Sequence, residues 1–134
     1  HDRLYEFTRA LGNEGINLRA LTLVDTGHFG ELRVLVSDTA TARQILMKKD
    51  IPARVDEVVA VQMEDKPGQL ADLLERLMEA GIKIKYGYAL AGMDSGKAIM
   101  IFRFEDNDKA IETLTQQEVH LMDRESFNKL AATG

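Results

Sequence analysis

The chain has 134 residues, 45% hydrophobic and 29% charged, a size and balance that suit one ordinary globular domain or two very small ones. It has no cysteine, which excludes disulfides, cysteine-ligated zinc or iron–sulfur sites and thiol catalysis, and fits a reducing, cytoplasmic setting. A formal net charge of −5, with both signs interspersed, argues against a nucleic-acid surface, and no apolar run approaches the ~20 residues of a membrane span.

Residues 3–11 carry Leu4, Phe7 and Leu11 at helical spacing, and Gly12-Asn13-Glu14-Gly15 ends that helix. A strand follows over 16–24, with Ile16, Leu18, Ala20, Thr22 and Val24 on one parity. The turn at 25–30 leads to a second strand over 31–37, which places Leu32, Val34 and Val36 on one face. Asp38 reads as the N-cap of a helix bearing Ala42, Ile45 and Leu46. Residues 51–55 read as a short strand, at an edge because Pro52 lacks an N–H.

The order then repeats. An apolar strand at 58–63 precedes Asp65-Lys66-Pro67-Gly68-Gln69-Leu70, and a helix over 67–80 follows, with Pro67 expected at its first position. Leu70, Leu73, Leu74, Leu77 and Met78 form its apolar stripe, and Gly81 its stop. The strand at 82–90 alternates Ile82, Ile84, Tyr86, Tyr88 and Leu90 with polar or small residues, which assigns both tyrosines to the core. A turn at 91–96, a strand at 97–104, a helix capped by Asp106 and a short strand at 119–122 complete the series. The tail, 124–134, is expected to add a helical turn or two.

Leu4, Leu11, Gly15 and Gly30 match Leu70, Leu77, Gly81 and Gly96 at an offset of 66. Ala42 and Leu46 match Ala110 and Leu114 at 68, which puts the slip between the second strand and its helix. This is a tandem duplication of one unit. The complete copy is β-α-β-β-α-β, the ferredoxin-like order, so the fold class is α+β. Two antiparallel sheets with helices on one face are expected side by side, residues 1–56 forming one domain and 57–134 the other. The first copy lacks its opening strand, which is expected upstream of His1, so about seven long strands remain.

With this doubling and the D-x-P-G-x-L turn followed by Gly81-Ile82-Lys83-Ile84, the sequence resembles a tandem ACT-domain protein. The first-half counterparts are Arg3-Leu4 and Gly15-Ile16-Asn17-Leu18. The resemblance implies a non-catalytic module that binds a small regulatory ligand, usually an amino acid, where two ACT units meet. It implies one wall made of Asp65, Lys66, Pro67, Gly68, Gln69 and Leu70. The other wall would come from Asn17 and Leu18, or from Lys83 and Ile84, with Arg3 and Leu4 at the first unit's own turn. The first unit has Asp2-Arg3 where Pro-Gly is expected, which leaves a second, matching site open.

The chemistry of a zwitterion suits this turn. N–H groups of Gly68, Gln69 and Leu70 at a helix start can take a carboxylate, and Asp65 can take an ammonium. Asn17 carries both donor and acceptor. Each also has a plainer role: Asp65 as a turn cap, Asn17 as a strand start, Lys83 and Lys85 as a solvated face. His28 and His120 have no partner pattern and read as surface residues. No cofactor or metal is implied.

The same element order also occurs in RRM-type RNA-binding domains, with 96–104 as the strand signature, but Phe102 and Phe104 share the parity of Met100 and read as core. A small acylphosphatase-like enzyme would need Arg3 and Asn17 together. A purely structural interaction domain is the remaining alternative. The expected partners are an amino acid, a second copy in a homodimer and an enzyme of amino-acid metabolism, with no nucleic acid and no membrane.

Overall fold

The computed structural model describes residues 2–25, 30–90 and 96–123. The chain divides into two compact units, His1–Val55 and Asp56–Gly134. Unit 1 runs α1 (Asp2–Asn13), β1 (Leu18–Asp25), β2 (Gly30–Val36) and α2 (Thr39–Lys48). Unit 2 runs β3 (Val59–Glu64), α3 (Gln69–Glu79), β4 (Ile84–Leu90), β5 (Lys97–Phe104), α4 (Asn107–Gln116) and β6 (Leu121–Met122). Both sheets are antiparallel, β1-β2 in the first unit and β4-β5-β3-β6 in the second. Unit 2 is thus a complete ferredoxin-like βαββαβ unit, and unit 1 has the same order from its first helix to its second.

Six strands stand among the described residues, one of them only two residues long, against the seven long ones that the doubling predicts. The expected strand at 51–55 is irregular. Its counterpart β6 is held by pairing with β3. Unit 1 has no counterpart of β3 among the described residues, so Pro52 and its neighbours have no ladder to join. The expected tail helix at 124–134, His28 and most of both hairpin turns lie outside the described residues.

The duplication reaches the helix ends. The N–H of Ile16 donates to the Leu11 carbonyl at 3.0 Å, and that of Ile82 to Leu77 at 2.9 Å. Beside these, Gly15 donates to Gly12 and Gly81 to Met78, each glycine in the left-handed region at φ 74° and 71°. This is the two-bond Schellman closure, with the apolar pairs Leu11–Ile16 and Leu77–Ile82 buried. Helices α2 and α4 close in the same way through Ile51 to Leu46 and Val119 to Leu114, but Asp50 and Glu118 take the left-handed position at φ 54° and 61°. Their starts match too: Asp38 accepts the Thr41 N–H and Asp106 the Lys109 N–H, both at 3.1 Å.

Strand registers relocate the slip. Leu18 pairs with Val36 as Ile84 pairs with Phe104, so the offset is 66 in the first strand of each hairpin and already 68 in the second. The two extra residues therefore lie in the hairpin turn, not between strand and helix.

Both hairpins also carry a register shift at matching places, between Leu18 and Ala20 and between Ile84 and Tyr86. Shifting by one residue exchanges the faces of everything beyond. Ile82 lies in the helix-facing core, whereas Tyr86, Tyr88 and Leu90 pair with Arg103, Ile101 and Ile99 on the opposite face. The tyrosines are therefore half-buried away from the helices, not in the core that unbroken alternation predicts. The Tyr86 hydroxyl donates to Asp56 at 3.1 Å.

On the helix side, Val59, Val61, Phe102, Phe104, Leu73, Leu77, Ile82, Ala110 and Leu114 form the core of unit 2. Phe7, Leu11, Ile16, Ala42 and Leu46 form that of unit 1. Burying each large side chain contributes about 1.5–3 kcal/mol. Gly87 is the cross-strand partner of Phe102, whose ring occupies the space where a Cβ would stand, 2.8 Å from Cδ1.

Three expectations follow from these contacts. Glu118→Gly relieves a left-handed side chain and should stabilise the protein by about 0.5–1 kcal/mol, a rise of about 2–4 °C in thermal melting. Asp50→Gly should gain less, because aspartate tolerates that conformation better. A fall in Tm for Glu118→Gly would contradict the assignment. Gly87→Ala should cost about 1–3 kcal/mol by overpacking Phe102. Gly12→Ala, in α1 with open space around the new Cβ, should instead gain about 0.5–1 kcal/mol. Denaturant titration separates the two, and equal effects would refute the packing argument.

The third concerns charge. Glu64 and Lys97 are register partners joined by an ion pair, which holds the Glu64 carboxyl below the ordinary glutamate range. A depressed folded pKa adds stability above the unfolded value and loses it as pH falls through the folded one. Lys97→Met should therefore be less stable than wild type at pH 7, and the gap should close below about pH 4.3. A gap independent of pH in thermal melts would show that the pair contributes nothing.

Candidate functional site

The last pair of the β3–β5 ladder is Glu64 with Lys97, and the N–H of Asp65 extends it by donating to the Gly96 carbonyl at 2.9 Å. The chain then turns over four residues. The Gln69 N–H donates to the Lys66 carbonyl at 3.2 Å, and Gly68 stands at φ 86°, ψ −13°. Those angles belong to the third residue of a type II turn, with Pro67 as the second. Proline's fixed negative φ excludes the mirror-image alternative, and glycine is the residue that reaches the positive φ. Pro67 therefore precedes the helix instead of opening it: Gly68 is the N-cap and α3 starts at Gln69. The first helical bond runs from the Asp72 N–H to the Gly68 carbonyl.

This geometry sorts the amide groups. That of Gln69 is committed to the turn, which corrects its expected role as a carboxylate donor. Those of Gly68, Leu70 and Ala71 meet no acceptor among the described residues. Three unpartnered donors at the positive end of an eleven-residue helix suit a small anion. The space above Gly68 is open, with no heavy atom within 4 Å of where a Cβ would stand. Asp65, Lys66 and Pro67 are exposed and Gln69 is half-buried. No described group bonds the Asp65 carboxylate, so its plainer role as a turn cap finds no support. Ala71, Glu64 and Lys97 were not among the expected residues. The pairing of the last two becomes visible only once the register is known.

The other expected residues lie elsewhere. Lys83 and Ile84 follow the far end of α3, which separates them from the turn by roughly 16 Å of helix. They line an open groove of about 360 Å3 with Leu74, Leu77, Met78, Gly81 and Ile82. The expected helix stripe is split there. Leu73 and Leu77 are buried, whereas Leu70, Leu74 and Met78 are 41%, 38% and 70% exposed. In unit 1, Arg3 and Leu4 sit in the first turn of α1, while Asn17 and Leu18 follow its last. Asn17 and Ser37 close the hairpin reciprocally: the Ser37 amide donates to the Asn17 carbonyl and the Asn17 amide to the Ser37 hydroxyl. In unit 2 the Glu105 amide likewise donates to the Lys83 carbonyl.

Two alternatives lose their geometry. Phe102 and Phe104, with ring centroids 5.2 Å apart, are buried against the helices. The central strands present Ala60, Gln62, Ile99 and Ile101 on the other face and so lack the aromatics that an RRM stacks on RNA bases, while Tyr86 and Tyr88 share that face from the edge strand β4. An acylphosphatase-like centre would need Arg3 beside Asn17, yet the roughly 18 Å length of α1 stands between them. Among the described residues no group of three His, Cys, Asp or Glu could hold a metal ion. No described helix is long and apolar enough to cross a membrane.

Comparison with known proteins agrees with this architecture. No curated protein matches the chain. Among solved structures, protein BT0572 from Bacteroides thetaiotaomicron is similar at 33% sequence identity and a TM-score of 0.87. The similarity covers 94% of this chain and 86% of that one. The family model described as an ACT domain pair matches residues 3–131. The chain belongs to the ACT domain pair family.

Proposed function

We propose that this ACT pair is a non-catalytic regulatory module whose ligand is a free amino acid, bound at the Pro67-Gly68 turn. The observation that carries the reading is that, among the described residues, the N–H groups of Gly68, Leu70 and Ala71 meet no acceptor and the nearby Asp65 carboxylate meets no donor. The donors complement a carboxylate and Asp65 complements an ammonium, so the turn answers both charges of a zwitterion. A second wall comes from Asn17 and Leu18 or from Lys83 and Ile84 of a neighbouring unit, in a cytoplasmic homodimer. Binding there adjusts an enzyme of amino-acid metabolism.

A thermal-shift screen of the twenty amino acids tests the ligand. At a hundredfold excess over Kd, a ligand confined to the folded state stabilises it by about 2.7 kcal/mol, which for this size should raise Tm by about 5–10 °C. Gly68→Asn should leave the unliganded melt close to wild type, because asparagine tolerates the left-handed region, and should abolish the shift by filling the open space. Asp65→Ala should weaken the same hit at least tenfold in Kd by removing the ammonium partner. A screen without a hit removes the amino-acid reading, and a hit that survives both substitutions moves the site away from this turn.

A further inference from the structure

We draw no further inference here: the strongest candidate, the apolar groove between α3 and the start of β4 lined by Leu74, Met78 and Ile84, adjoins residues already assigned to the ligand site, and nothing in the structure shows what covers it.

Discussion

Four times in this chain the carbonyl of a buried leucine accepts the N–H of an apolar residue five positions later: Leu11 and Ile16, Leu46 and Ile51, Leu77 and Ile82, Leu114 and Val119. Each bond, worth about 1 kcal/mol net, satisfies a carbonyl that the helix end would leave orphaned. Its geometry turns the chain back so that the apolar residue enters the core beside its leucine. Helix and following segment are thereby fixed to each other before any sheet pairing is considered. The rest of each unit depends on this closure. Ile16 and Ile82 set the phase of β1 and β4, and that phase decides which side chains meet the helices.

Much of this was legible in the residues. Gly15 and Gly81 mark two of the four closures, Asp38 and Asp106 mark two helix starts, and the buried cores coincide with the helical periodicities of Phe7–Leu11 and Leu73–Leu77. What the sequence hides are the places where backbone geometry departs from ideal counting. A bulge has no fixed composition, so nothing in Leu18-Arg19-Ala20 or Ile84-Lys85-Tyr86 announces that one residue is passed over. That single omission sends Tyr86 and Tyr88 to the face opposite the one their parity assigns. The other two closures are hidden for a similar reason, since Asp50 and Glu118 do the work that a glycine would have signalled.

The site divides along the same line. The turn itself could be read, because Pro-Gly before an apolar helical stripe restricts φ at both residues. Its position relative to the helix could not. Proline suits a first helical position and the second position of a type II turn equally well, and only the Gly68 angles decide. The choice changes the chemistry. Had Pro67 opened the helix, the Gln69 amide would face outward with its neighbours. In the type II turn it closes onto Lys66, and the donors without an acceptor among the described residues become Gly68, Leu70 and Ala71.

Magnitudes indicate what such a turn can do alone. A charge at an exposed helix start gains about 0.3–1 kcal/mol, and a charge-assisted hydrogen bond contributes about 1.5–3 kcal/mol. Even with a carboxylate on the three amides and an ammonium on Asp65, these terms must also offset the lost freedom of the bound ligand, about 4 kcal/mol or more. Micromolar affinity requires about 8 kcal/mol in total. A surface closing over the turn would add the burial of an apolar side chain, about 1.5–3 kcal/mol, and would strengthen both charge contacts by excluding water. A ligand held at Gly68 would therefore gain affinity from a second surface closed over it. On the reading proposed above, the turn would recognise the two charges of a zwitterion, and the closing surface would supply the discrimination between one amino-acid side chain and another.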